Sequence, residues 1–416
     1  MDRRQFLQTS SLSLVAAGIG ARSLRAESGP IKVGVLAPLT GVVAAGGREM
    51  VEGTQFWFDQ IGSQLAGRKV ELIVEDDGSN PDTSLQKARK LVEQANVSFL
   101  MGNLLANTGL AVANYVKDNG TPYFIPIIAA DDLTQRQRIK NVIRVAGYSA
   151  SAFTHALGDW AYKKGYRKIA TVSQDYTFGH EQCGGLCQVF SESGGEIVAQ
   201  FWHPLNTADF SPYLGQIANM KIDAVFAMEN GSDATRFIQQ YASFGLKGQT
   251  PLISAMNTTD QSIIRTLGPE CEGIVSAAHF AEGSDNPVTQ KFVKDYTAKY
   301  EKIPSLFGFS MYSGSMWLSQ AIEKLKGNVE DRDAFLATVL GMELVNSPLG
   351  KTVKLDSYGN PIYDVAIRQV VKRPDGKYWN VPIASYPNVS QFWTYDPETY
   401  LKQPPYSRTF QGIKKS

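Results

Sequence analysis

The run His180-Glu-Gln-Cys183-Gly-Gly-Leu-Cys187 sets one imidazole and two thiols at i, i+3 and i+7. On a helix those positions share a face, and the set could seat a soft metal ion. The run also holds two glycines, and a chain with four histidines offers no evident fourth ligand. The reading kept is structural, with the cysteines packed against a sheet. A Cys183–Cys187 bridge would strain a helix. Asp76-Asp77 has the form of an acid pair, but in the polar turn at 76–81 it reads as capping and solvation. Gly41-Val-Val-Ala-Ala-Gly46-Gly47 has the glycines of a phosphate loop without the Lys-Ser/Thr that would reach phosphate and magnesium. Neither Gly-x-Ser-x-Gly nor His-Glu-x-x-His occurs. No metal, cofactor or catalytic centre is expected.

A binding site is the better prospect, and it is sought first at 99–116. Apolar residues 99–101 read as the end of a buried strand that Gly102 breaks. From Thr108 the apolar residues Leu110, Ala113 and Val116 recur at helical spacing. A strand that feeds a helix leaves backbone N–H groups pointing into the gap between them. In an open α/β sheet, that gap is where ligands sit.

The elements around it follow one rhythm. Strands are expected at 31–36, 70–74, 99–101 and 123–128, alternating with helices, the second of which Asp82 or Ser84 can cap. The pattern restarts with a helix at 149–164 and strands at 168–173, 196–201, 223–228 and 251–254. Two long helices follow at 286–300 and 305–326, then tail strands at 351–355 and 362–371. The end from Tyr386 is rich in aromatics and prolines and reads as an extended cover over a lobe. Strands separated by helices mean βαβ units, parallel sheets and an α/β class with two similar lobes.

Composition narrows the function. With 416 residues the chain can hold two full cores. The 41 basic and 40 acidic residues give a net charge of +1, against a nucleic-acid surface or an electrostatic membrane anchor. Three cysteines (Cys183, Cys187, Cys271) are too few for a disulfide scaffold. Residues 1–26 read as a leader. Arg3-Arg4-Gln-Phe6-Leu7 resembles a twin-arginine export signal, and Leu24-Arg25-Ala26 offers a cleavage point. The apolar run is too short to span a bilayer. A monomeric periplasmic protein starting near Glu27 is expected.

Several local sequences, taken in order, are similar to the periplasmic binding proteins of branched-chain amino-acid-type ABC importers. They are Ile31-Lys-Val-Gly-Val-Leu-Ala-Pro-Leu-Thr-Gly41, Glu75-Asp-Asp-Gly-Ser-Asn-Pro81, Met101-Gly102, Gly120-Thr-Pro-Tyr-Phe-Ile-Pro126, Tyr176-Thr-Phe-Gly179 and Asp209-Phe-Ser211. The resemblance implies two Rossmann-like lobes, 27–146 plus 280–347 and 147–279 plus 348–416. Three crossings, near 145–149, 276–280 and 347–354, would form a hinge that closes on ligand. The partners implied are a small ligand and a membrane permease.

In amino-acid-binding members of that family, hydroxyl side chains hold the ligand's α-carboxylate and an acid holds its ammonium. Those positions fall here at Ala106, Ala129 and Met256, and a bulky aromatic of the first loop becomes Gly46, which is expected to enlarge the cleft. Burying a zwitterion without such partners is costly. What remains to line the cleft is Leu104, Leu105, Ala106, Asn107, Ile127, Ala129, Tyr176, Phe178, Asn230 and Met256. That surface suits a flat ring, with a carboxylate on the N–H groups around Ala106 and Asn107. Arg48 and His279 are candidate charged or switchable partners. Plain packing stays open for Tyr176 and Phe178, solvation for Arg48, and a hinge role for His279. The expected ligand is an aromatic acid of the benzoate, phenylacetate or hydroxycinnamate kind. The alternatives are a branched-chain amino acid or small aliphatic acid or amide and, as another class, a periplasmic oxidoreductase.

Overall fold

A computed structural model of the chain describes residues 29–413; the leader expected at 1–26 lies outside the described residues. The first sheet is built on β1 (Ile31–Ala37), whose residues are nearly all buried, as a strand covered on both faces requires. Around it lie β2 (Gln64–Leu65), β3 (Arg68–Asp76), β4 (Phe99–Gly102), β5 (Tyr123–Phe124) and β6 (Val142–Ile143), in the order β2-β3-β1-β4-β5-β6. All pairings are parallel except β2–β3. The chain reverses direction across the sheet at β1, so the gap beyond β1 and β4 is a switch point where ligands settle. The strand expected at 123–128 stops at Phe124, two residues before Pro126, which has no N–H for a ladder.

The second sheet holds β7 (Lys168–Gln174), β8 (Glu196–His203), β9 (Ala224–Met228), β10 (Leu252–Ser254), β11 (Val275–Ala278), β12 (Tyr363–Lys372) and β13 (Tyr378–Val389), in the order β13-β12-β11-β10-β9-β7-β8. It departs from the all-parallel expectation: β12 runs antiparallel to β11, and β13 antiparallel to β12. The turn Pro374-Asp375-Gly376 folds this hairpin, and Gly376 takes φ +85°. β13 accommodates Pro382 and Pro387 because it is an edge strand. The extended cover expected from Tyr386 therefore begins as the last four residues of a strand.

Helices α1 (Ala44–Gln60), α2 (Pro81–Arg89) and α3 (Ala106–Asn119) serve the first sheet. Asn80 caps α2, accepting from the N–H groups of Asp82 and Thr83, in place of the expected Asp82 or Ser84. Helices α4 (Ala150–Lys163), α5 (Thr177–Glu192), α6 (Ser211–Ile217), α7 (Gly231–Ser243) and the short α8 (Gln261–Ile264) serve the second. The chain then returns to the first sheet. In α9 (Pro287–Tyr300), Phe292 and Tyr296 meet Phe56 of α1. In α10 (Leu306–Lys324), Ser319 Oγ accepts from Trp57. Phe335 of α11 (Arg332–Gly341), a helix absent from the expectation, packs on Phe99 and Phe124. After β13, the short α12 (Pro397–Tyr400) and the tail lie over α4 and α5. There Tyr406 fills the space above Gly184, and its Oη lies 3.1 Å from His155 Nε2.

α1 and α10 cross so closely that a Cβ on Gly53 would lie 2.0 Å from the Gly308 carbonyl oxygen. Gly53→Ala is expected to cost about 1–3 kcal/mol, because backbone must separate to admit the methyl. Urea unfolding measures it, and a loss below about 0.5 kcal/mol contradicts the packing described.

Candidate functional site

The turn from β4 into α3 is set by a buried polar group. Gly102 has φ +114°, and a Cβ there would lie 2.2 Å from the Leu36 carbonyl oxygen. Asn103 follows at φ +57° and donates its backbone N–H to that same oxygen at 2.7 Å. Its Nδ2 donates to Asp77 Oδ2 at 2.7 Å and to Ser84 Oγ at 2.8 Å, and its Oδ1 accepts from Tyr123 Oη at 2.6 Å. Asp77 is fully buried, so the solvated role expected for it gives way to a structural one. Burial pushes its carboxyl up to about 6, against the hydrogen bonds from Ser79 and Asn103. Asp76 does hold the turn as expected, accepting from the N–H groups of Leu39 and Gly78 at 2.8 Å each.

This scaffold aims Leu104, Leu105 and Ala106 into the interior, all three buried. Ala106 and Asn107 form the first turn of α3, where backbone N–H groups lack partners within the helix. Asn107 is half-buried, and its Oδ1 accepts from the Thr108 N–H at 3.0 Å. Ile127 and Ala129 are buried on the segment after β5; the Ala129 carbonyl accepts from the N–H of Ala150, the first residue of α4. Gly46 does not open space as expected. A Cβ there would lie 2.8 Å from the Phe307 ring and 3.0 Å from Leu104 Cδ1, so Phe307 of α10 fills that volume.

From the second sheet, Tyr176 stands at the position just before α5 and Asn230 just before α7, neither side chain bonding the first turn of its helix. They meet because β7 and β9 are neighbours. Asn230 Nδ2 donates to Tyr176 Oη at 2.6 Å, while Asn230 Oδ1 is buried without a partner. Burial raises the Tyr176 phenol well above its ordinary value, so it stays protonated. Phe178 is buried one turn on, its ring 6.2 Å from that of Tyr176. Met256 is buried after β10, and its carbonyl accepts from Arg368 at 2.8 Å.

The two halves touch at several points. Val42, in the loop after β1, accepts from the Ser232 N–H at 3.2 Å. Glu181 Oε1 accepts from the Asp131 N–H at 2.9 Å, and Asp260 Oδ2 from the Leu306 N–H at 2.7 Å. Arg265 pairs with Glu49 at 2.7 Å.

Two of the expected partners are placed otherwise. Arg48 is exposed on α1 and has no hydrogen bond or ion pair among the described residues. His279 begins the connection from β11 to α9, within a buried aromatic group of Tyr148, Phe153, Phe309 and Tyr363, at ring distances of 4.7–5.6 Å. Neither ring nitrogen has a partner, and burial, with Arg368 nearby, pushes its pKa down to about 3. Its ring is a neutral, buried member of this aromatic group.

Residues the sequence did not suggest are Tyr148, Asn257 and Phe307. Asn257 interacts with the Tyr148 hydroxyl and keeps a buried, unpartnered Oδ1. It stands beside Met256 in the turn after β10, where the strand–turn reading could have found it; Phe307 comes from a distant helix and carried no local signal. All three cysteines are buried and free, and His180 pairs with Asp175 at 2.8 Å. The acids and imidazole that do converge are His203, Glu229 and Asp233, with one ligand atom each within 4.8 Å. Protein groups meet most of their atoms: His203 Nε2 lies 2.8 Å from Glu229 Oε1, and Asp233 accepts from Gln174, Asn206 and Arg236, while Glu229 Oε2 is buried without a partner. Cavities of about 500 and 300 Å³ lie elsewhere, beside Arg265, Lys302 and Tyr378 and beside His279 and Tyr363.

Two α/β units meet through the segments that follow their strands, as at Val42 and Ser232. The chain belongs to the periplasmic binding protein family, whose model matches residues 30–377. A Leu/Ile/Val-binding protein homolog 6 from Brucella melitensis is 27% identical over 363 residues, 86% of this chain and 91% of its own. An ABC transporter substrate-binding protein from Sphaerobacter thermophilus is 32% identical with a TM-score of 0.80, covering 87% of this chain and 99% of its own. A solute-binding protein of an ABC transporter from R. palustris, solved in complex with benzoate, is 27% identical with a TM-score of 0.81, covering 87% and 98%. The family and fold are those of solute-binding receptors. No helix among the described residues is long and apolar enough to cross a membrane.

Because His279 stays neutral in the folded chain down to about pH 3, while an unfolded imidazole protonates near 6.5, the fold loses stability as pH falls through that window. His279→Phe removes that proton uptake. Relative to wild type, the variant is expected to gain about 2 kcal/mol between pH 7 and pH 5. Urea midpoints at the two pH values test it, and parallel profiles contradict it.

Proposed function

We propose that the chain is the periplasmic receptor of an ABC importer and closes on a small aromatic carboxylate. The observation that carries this reading is the chemistry of the cleft wall. By the resemblance to amino-acid-binding members of the family, Ala106, Ala129 and Met256 take the positions where an amino acid would need hydroxyls and an acid, and all three are buried. A ring between the Ala106 and Ala129 turns and Tyr176 would gain apolar burial and edge or face contact, the latter worth about 0.5–1.5 kcal/mol per aromatic pair. Its carboxylate would take the N–H groups and dipole of the first turn of α3. Asn230 and Asn257, with unpartnered oxygens, would meet a hydroxyl donor on the ring. The benzoate complex of the R. palustris relative supports the same ligand class.

On this reading, lobe one is 27–146 plus 280–347 and lobe two 147–279 plus 348–416. Residues 1–26 direct export by the twin-arginine route, and the loaded monomer is handed to a membrane permease. Closure is what lets a permease tell loaded from empty receptor, since the ligand must favour one state by touching both lobes. A second reading, an aliphatic amino acid, is favoured by the Leu/Ile/Val name of the Brucella relative. Against it, Glu229, the acid directly after β9, already meets His203 through Oε1.

Thermal melting with benzoate, phenylacetate, 4-hydroxycinnamate, leucine and valine separates the two. Ring acids are expected to stabilise the protein by about 2.7 kcal/mol at one hundred times Kd, and leucine not at all. Stabilisation by leucine or valine alone overturns the aromatic reading.

A further inference from the structure

We infer that Gly231 sets how far the clamp can close, by keeping the rim of the second half free of a side chain where the first half seats. Gly231 opens α7 at φ +58°, directly after Asn230. A Cβ there would lie 2.1 Å from the Val42 carbonyl oxygen and 3.2 Å from Val43 Cγ1, both on the far side of the cleft. The same carbonyl accepts the Ser232 N–H at 3.2 Å, a bond that requires this approach of backbone to backbone.

The Val42 oxygen cannot step aside. Its loop is tied by Ala44 N–H to the Gly41 oxygen at 3.3 Å and by Gly47 N–H to the Val43 oxygen at 3.1 Å. Gly47 in turn abuts the Pro38 carbonyl, 1.9 Å from where a Cβ would stand. When the halves separate, the overlap at Gly231 disappears and the backbone strain alone remains. A side chain at 231 therefore penalises the closed state beyond the open one, and a ligand that draws on closure loses that difference. The inference rests on the reading of the chain as a clamp that closes on its ligand.

Gly120 supplies the control. It caps α3 at φ +70° with nothing within 4 Å of a Cβ, so Gly120→Ala carries the strain of a positive φ without a clash. Gly231→Asn, a residue at ease with positive φ, carries the clash with less strain and serves should the alanine variant fold poorly. Two measurements are made on wild type and the three variants. One is the Kd of the tightest binder among benzoate, phenylacetate, 4-hydroxycinnamate, leucine and valine; the other is amide hydrogen exchange at Ser232 without ligand. Gly231→Ala and Gly231→Asn are expected to bind about tenfold more weakly or worse, and Gly120→Ala within about twofold of wild type. Ser232 is expected to exchange faster in both Gly231 variants than in wild type or Gly120→Ala. Equal Ser232 exchange in all four proteins overturns the inference, as does an equal loss of affinity in Gly120→Ala. If nothing in the panel binds wild type, the aromatic-acid reading fails by itself, and Ser232 exchange still decides this one.

Discussion

The cleft depends on one buried amide. Asn103 sits at a left-handed backbone angle between strand and helix, and its side chain is held by Asp77, Ser84 and Tyr123 with no exposure to solvent. Each of those groups would be costly to bury unpaired, so the set holds together or is lost together. What it buys is position. The N-terminus of α3 faces the second sheet with its Leu104–Ala106 wall inward, and no loop freedom is left to misplace it. Gly102 makes the same demand from the backbone side, since its neighbour strand leaves no room for a Cβ.

The second half is organised by the same physics with different residues. Tyr176 and Asn230 precede the helices that follow neighbouring strands, so their hydrogen bond follows from sheet order. The contacts between halves are mostly backbone to side chain or backbone to backbone: Val42 with Ser232, Asp131 with Glu181, Asp260 with Leu306. Such bonds are directional and individually modest, which suits the parting and re-forming that the proposed function requires. The charged Arg265–Glu49 contact lies apart from the apolar wall. On the proposed reading the wall selects the ligand and the rim sets the cost of closure, and both enter the affinity.

The fold was largely legible because strand and helix periods alternate cleanly from Ile31 to Ala278. What escaped had weak local signals. β13 carries Pro382 and Pro387, tolerable only because the strand lies at a sheet edge, a fact no local pattern contains. Asn80 outcompeted Asp82 and Ser84 as a cap because Pro81 occupies the first helical position, where its missing N–H costs nothing. In the site, Leu104 to Ala106, Tyr176 and Asn230 could be found from strand–turn–helix order. Phe307 beside Gly46 and the aromatic surroundings of His279 could not, since both arise where segments far apart in the chain meet. Arg48 shows the converse error: a charge near a loop is no partner when its helix turns it to solvent.

The central claim, a ring acid held between the α3 turn and Tyr176, is tested most directly by a crystal structure grown with benzoate. The account predicts the ring against Ala106, Ala129 and Tyr176, with its carboxylate on the N–H groups at the start of α3 and the Ser232–Val42 bond formed. Benzoate bound instead in the cavity beside His279 or beside Arg265, with the cleft open and empty, would contradict it.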